Sequence, residues 1–563
     1  MVPKSKSLAA PPEEMSNVST EGSSAAYDEE PFVRTHETSR SELRPPTEAC
    51  PRDIFELICD HVVSLSDLKD ASDRKALESL AFFSKEWTSI PVKQWWRTCG
   101  ADFMAFLRLL PIRMDGLTIR LAGEGEAVDH ERIRSRAEYM RELNLKGVMT
   151  VYTVEEAVFA LLFAEDLHTA PSSVSSSDGT SHLFPNLRRL VFYATPELKA
   201  KYLAAFAPPT LEDLTLGCSE SISRDLSELE MLFTTTVKLG QLWRLKLSLG
   251  KEYPSGVLAQ VLMCFSKTLE HLEVDYMLDE DFAACMQHSR LKTLIIEDQT
   301  TPLDIHEGMR LGDLSVLRVN SIEHAEAPIT LCNILDSLPS PCPVIKEVRL
   351  ATELGFGGAD AALHDISRSC SRVIRDNGTP SQTLQKLDLL ARQLNGHENV
   401  FLRYEHVQFL EGCSSLRLLK IDTSFKHSIS DGNLGDLVQS CTQLEELHLM
   451  GEEGSTLTLG CLPLLATRAK FLTHLTLGLS TEEIPAIDSR FETKHGPFAF
   501  VVHIPGSTQT TTIPSQDIAE FLHGIAPSGG MKMSLSRKPG DYNGFWEDVL
   551  DDFEEMLPGR RGE

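Results

Sequence analysis

Apolar residues recur along most of the chain in one short pattern: apolar, two variable positions, apolar, one variable position, apolar. It stands as MRELNL at 140, LRRLVF at 187, LEDLTL at 211, LWRLKL at 242, LEHLEV at 269 and LKTLII at 291. It continues as LSVLRV at 314, IKEVRL at 345, LQKLDL at 384, LRLLKI at 416, LEELHL at 444 and LTHLTL at 472. From 187 on, these motifs start 22 to 39 residues apart. The last two apolar positions differ by two, so both point to one side of a short strand. Stretches with helical spacing, such as DLSELEMLF, GVLAQVLMCF and NLGDLVQSC, lie between the copies. One strand–helix unit cannot bury its apolar face alone, but a stack of them makes one continuous core. The pattern therefore predicts an α/β solenoid over 111–480, a curved parallel sheet with helices outside.

The flanks read differently. Residues 1–48 are rich in Ser, Pro, Glu and Thr and poor in large apolar groups, so they predict a disordered tail. Helical spacing over 49–110 predicts a small all-α domain. The run APSSVSSSDGTS (170–181) predicts a flexible loop within the solenoid. Beyond 480 the motif fades. The segment 481–563 predicts strands at FAFVVHI (498–504) and MKMSL (531–535), and helices at DIAEFLHGIA (517–526) and FWEDVLDDFEEML (545–557). We assign this region as the solenoid's C-terminal cap. An acidic helix that binds a partner is the alternative for 545–557.

Charge narrows the function classes. The chain carries 54 Lys+Arg against 82 Asp+Glu, a formal charge of -28, which repels a nucleic-acid backbone. The start MVPKSKSLAAPPEEM has no apolar signal region, and no apolar run reaches membrane-spanning length. A soluble protein of the cytoplasm, the nucleus or both is expected, with no membrane or nucleic-acid partner. The 12 cysteines form no C-x-x-C pair and read as small buried residues. No G-x-x-x-x-G-K-[ST], H-E-x-x-H or G-x-S-x-G occurs, and GFGGAD (355–360) lacks a third phosphate-loop glycine. No enzyme activity, cofactor or metal is expected.

Two sets of residues carry a family resemblance. The copy SISDGNLGDLVQSCTQLEELHL (428–449) resembles the cysteine-containing leucine-rich-repeat subtype, with Ile429, Asp431, Leu434, Leu437, Cys441 and Leu444 at matching positions. Cys413 repeats the Cys441 placement, and Cys218 with Ile222 marks a weaker copy. Ahead of the repeats, Pro51, Ile54 and Ile58 precede a polar stretch, then Leu77, Leu80, Ala81, Phe83, Ser84, Lys85 and Trp87, ending on Trp95 or Trp96. This resembles an F-box, with Cys50 and Asp53 standing where that family has Leu and Glu. The chain thus resembles F-box leucine-rich-repeat proteins. That resemblance implies a substrate-recognition adaptor of an E3 ubiquitin ligase, docked on a Skp-type adaptor and a cullin scaffold. Pro51, Ile54, Ile58, Leu80 and Trp87 are the candidate adaptor-binding anchors. A helical cap without a partner, and a repeat scaffold without a ligase role, remain the alternatives.

The variable motif positions should face away from the core. Twelve strands at about 4.8 Å would span roughly 53 Å, room for a protein partner. Arg189, Tyr193, Arg244 and Lys246 are candidate target-binding residues, followed by Arg318, Arg349, Lys386 and Lys420. Arg318 and Arg349 share a motif position in consecutive copies and should be strand neighbours. Their basic character suggests an acidic or phosphorylated target. A solvated face of mixed charge is the alternative.

Overall fold

The computed structural model describes residues 93, 96 and 97 and, with breaks between elements, 103–557; the longest break is 164–181. Residues 1–92 therefore lie outside the described residues, among them the anchors Pro51, Ile54, Ile58, Leu80 and Trp87, and so does the Ser-rich 170–181.

A hairpin, β1 (Ile112–Asp115) and β2 (Thr118–Leu121), is joined in parallel by β4 (Thr153–Val154). The main sheet begins at β3 (Glu142–Asn144). It continues through β5 (Arg189–Ala194), β6 (Asp213–Cys218), β7 (Arg244–Ser248), β8 (His271–Val274) and β9 (Thr293–Ile296). Next come β10 (Val316–Ser321), β11 (Glu347–Leu354), β14 (Lys386–Gln393), β16 (Leu418–Thr423), β18 (Glu446–Met450) and β19 (His474–Leu477). Each of the twelve motifs supplies one of these strands.

The motif fades at 480 but the sheet does not. β20 (Phe498–His503) pairs in parallel with β19, and β21 (Met531–Ser536) with β20. The result is a 14-stranded, all-parallel sheet in which spatial order follows chain order. This architecture is a leucine-rich-repeat solenoid.

The pairing register explains the motif. Leu190, Leu214, Leu245, Leu272, Leu294 and Leu317 are successive register partners, each at most 1% exposed. Burying each such side chain stabilises by about 1.5–3 kcal/mol. Helices pass between the strands and close the core. Helix Leu226–Val237 starts where Asp225 accepts the Ser227 N–H at 3.0 Å. Helix Asp431–Ser440 starts where Ser430 Oγ accepts the Asn433 N–H at 3.2 Å.

Side chains also tie repeat to repeat on the helical side. The Ala200 N–H donates to Glu228 at 2.8 Å and the Ala259 N–H to Asp281 at 2.9 Å. Gln299 binds both the N–H and the carbonyl of Met277, at 3.2 and 3.0 Å. The longest motif spacing from 187 on, 345 to 384, holds a 16-residue helix, Ala359–Ile374. The short pair β12 (Arg375–Asp376) and β13 (Thr379–Pro380) follows it. A smaller parallel pair is β15 (Phe401–Arg403) with β17 (Lys426–Ser428).

Both ends of the core are covered. Trp96 meets Phe106 edge-on at 6.1 Å, and Phe106, Phe184 and Phe206 continue the aromatic chain at 5.1 and 5.7 Å. The end of the 49–110 segment thus merges with the first repeats. At the other end, helices Ser515–Ile525 and Gly544–Met556 bury Ile518, Phe521 and Leu522, and Trp546, Val549 and Phe553. Those three residues of the last helix lie in the predicted helix FWEDVLDDFEEML (545–557).

Candidate functional site

Strand alternation sends every second residue out of the core, so the sheet's far face carries columns of side chains in register. Arg189, Arg244 and Lys386 fall in a first column, with Asp213, His271, Glu347, Glu446 and His474. Lys246, Arg318, Arg349 and Lys420 fall in a second, with Glu273, Asp388 and His448. Arg318 and Arg349 are register partners, the neighbours that their motif position implies. The site residues on the repeats therefore share one face. At about 4.8 Å per gap, fourteen strands make it roughly 62 Å long.

The charges on this face are largely paired across strands. Arg189 reaches Glu142 at 2.9 Å and Asp213 at 3.2 Å. Arg244 lies 3.9 Å from both Asp213 and Glu273, and Lys246 also pairs with Glu273. Arg318 bonds Glu347 at 2.6 Å, and Arg349 lies 3.4 Å from Asp388. His271 and Lys246 beside Glu273 hold its carboxyl down at about 2. So five of the seven proposed cations already face carboxylates. Sequence reading missed Asp213, Glu347 and Asp388 as their partners. The signal was present: each stands at a variable motif position in the adjacent copy.

Lys386 and Lys420 differ. Among the described residues, no carboxylate lies within ion-pair distance of either. Lys386 is exposed and Lys420 is half-buried. Next to Lys420 stands His448, its Nδ1 2.8 Å from Thr476 Oγ1 and its Nε2 3.6 Å from Glu446. Burial lowers the His448 pKa, partly offset by Glu446.

Tyr193 lies near the other end of the face, on the strand beside Gly217. A Cβ at Gly217 would stand 2.6 Å from Tyr193 Cδ2, so the missing side chain makes room for the ring. Lys146 Nζ sits 5.6 Å from the ring centroid.

The cysteine-subtype residues lie in the core. Ile429, Leu434, Leu437, Cys441 and Leu444 are each at most 2% exposed. Burial pushes the Cys441 thiol up to about 12 and Cys218 to about 11, so neither is a thiolate near neutral pH. Asp431 accepts the Thr458 N–H of the next repeat at 2.9 Å. Among the described residues, no cluster of three or more His, Cys, Asp or Glu could hold a metal ion, and no helix is long and apolar enough to cross a membrane.

The fold and this face define a leucine-rich-repeat solenoid with an ion-paired sheet surface. No family profile matches the sequence, and no curated protein matches it. Among solved structures the chain is similar to a leucine-rich-repeat protein of Leptospira interrogans, at 14% identity and a TM-score of 0.35, covering 65% of this chain and 82% of that one. It is also similar to a chain of the yeast Rad7–Elc1 complex, at 15% identity and a TM-score of 0.31, covering 73% and 94%. For a chain of the mouse RP105/MD-1 complex the identity is 14% and the TM-score 0.30, covering 71% and 72%.

Proposed function

We propose that this chain is the substrate-recognition adaptor of a Skp–cullin–F-box type ubiquitin ligase and that the outward face of its sheet holds the target. The carrying observation is the shared register of Arg189, Arg244, Lys246, Arg318, Arg349, Lys386 and Lys420 on one long face, in a chain whose sequence carries an F-box pattern between Pro51 and Trp96. A strand array of this length suits an extended or folded protein target better than a small molecule. Pro51, Ile54, Ile58, Leu80 and Trp87 are assigned to the Skp-type adaptor by the F-box resemblance. Ubiquitin transfer itself belongs to the partner enzymes.

The test is co-precipitation of the full chain with a Skp-type adaptor and a cullin, beside a known F-box protein. The wild type should recover both. Combined Ile54→Ala, Ile58→Ala and Trp87→Ala should lose the adaptor while target capture persists. No adaptor recovery by the wild type, where the control succeeds, overturns the ligase role and leaves a repeat scaffold. Arg318→Glu, Arg349→Glu, Lys386→Glu and Lys420→Glu combined should abolish target capture, with circular dichroism checking that the fold is kept. Unchanged capture would sink the assignment of the target to this face.

A further inference from the structure

Pairing divides the outward face into two parts. From β5 to β11 the cations Arg189, Arg244, Lys246, Arg318 and Arg349 are engaged by carboxylates of neighbouring strands. A ligand anion there must displace a carboxylate already in place, so it gains little. From β14 to β19 the balance changes. Lys386 and Lys420 stand on adjacent strands beside Glu347 and Asp388 in the register, yet no carboxylate among the described residues is within ion-pair distance of either. His448 is the register partner of Lys420, and His474 lies one strand further on.

We propose that Lys386, Lys420, His448 and His474 form the dock for an Asp/Glu-rich segment of the target, and that protonation of His448 tightens it. This rests on the reading of the outward face as the target surface and places the contact in its C-terminal third.

The geometry favours carboxylates in a row over a single phosphate. Phosphate capture wants arginine forks converging on one point. Here two lysines and two imidazoles are spread over four strands in steps of about 4.8 Å. An extended acidic segment crossing β14 to β19 meets them in turn.

The groups around His448 set the pH response. They are Glu446 on its own strand, Lys420 on β16, and His474 and Thr476 on β19. Asp422 stands two residues beyond Lys420 on the same side of β16 and is the register partner of Met450. At neutral pH Glu446 offsets part of the lysine charge. Protonating His448 cancels that anion locally and leaves the lysines available to the ligand. Burial delays this protonation to the acid side of the ordinary histidine range, with Glu446 opposing the delay.

The experiment uses the purified full chain and three fluorescent peptides of about ten residues, read by anisotropy between about pH 7.5 and about pH 5.5. One peptide is Asp/Glu-rich, one has Asn/Gln in those places, and one has a single phosphoserine instead. The acidic peptide should bind, and about five-fold more tightly at the lower pH. Lys386→Glu with Lys420→Glu should abolish binding at every pH while the melting temperature stays near wild type. His448→Gln should keep the neutral-pH affinity and lose the pH response; the amide introduced at position 448 still offers Thr476 a hydrogen-bonding group. Equal binding of the neutral peptide, exclusive binding of the phosphopeptide, or a pH response that survives the His448 substitution overturns the proposal. Loss of acidic-peptide binding in Arg318→Glu with Arg349→Glu, but not in the lysine variant, would overturn this dock by moving it toward β10, and would leave the target surface itself standing.

Discussion

Asp281 shows how a buried charge is used in this fold. It is fully buried; Oδ1 accepts the Ala259 N–H, and Oδ2 lies 2.9 Å from the Tyr253 hydroxyl. That hydroxyl is also 2.9 Å from the Tyr276 carbonyl, and its one proton can serve only one acceptor at a time. Burial raises the Asp281 pKa, because the carboxylate has left water without a cation beside it. Asp281→Ala leaves the Ala259 N–H unmatched and should destabilise by about 1–3 kcal/mol. Asp281→Asn should lose less than Asp281→Ala: its oxygen keeps Ala259, and its amide donates to Tyr253, which then donates to Tyr276, while the Leu278 N–H that faces the carboxylate loses its acceptor. Denaturant midpoints of the two variants decide this, and equal losses would contradict it. The same accounting separates the cations of the sheet face. Their basic character was legible in the motif, but their state was not. Arg318 and Lys420 look alike in sequence, yet Arg318 bonds Glu347 at 2.6 Å, while Lys420, between Asp388 and His448 in the register, has no carboxylate within ion-pair distance among the described residues.

At the scale of elements, the strands were the most legible part. The spacing of two between the last apolar positions fixes which side is buried, and twelve strands follow from it. β20 and β21 were readable as strands but not as members of this sheet, because their surroundings lack the motif's leading apolar position. Parallel pairing needs only a crossover long enough to return the chain, and helix Ser515–Ile525 provides one between them. Their role can be tested by ending the chain after Leu479. The outer edge of β19 would then lose its partner strand, and an open parallel edge is a template for association. We expect this truncation to self-associate in light scattering and size exclusion. A monodisperse monomer with wild-type melting would show that the C-terminal segment is dispensable.

For the whole molecule, acid should be destabilising, through histidines held neutral in the core. His288 is 1% exposed and His406 is 4% exposed, and burial lowers the pKa of both. Aspartate and glutamate near His406, foremost Asp360, oppose part of that shift. A folded-state pKa below the unfolded one means that the unfolded chain binds more protons between the two values. Their contribution to stability is thus complete above the ordinary histidine pKa and is lost as pH falls through the folded-state values. The melting temperature should drop between about pH 7 and about pH 5, and His288→Leu should make the drop shallower. A melting temperature that rises across this interval would refute the sign.

The sequence by itself determined that this chain stacks strand–helix units, which residues of each unit are buried, and which ones share the open face. These follow from local periodicity, since a side chain's direction along a strand alternates whatever the neighbours are. Only the tertiary structure decided which charges meet across strands, that two further strands extend the sheet, and that the aromatic end of the N-terminal segment fuses with the first repeats. Those outcomes depend on register between residues far apart in sequence, as where Arg189 meets Asp213, 24 positions away, and Glu142, 47 positions away. A one-residue slip would change every partner while leaving each repeat's own pattern intact.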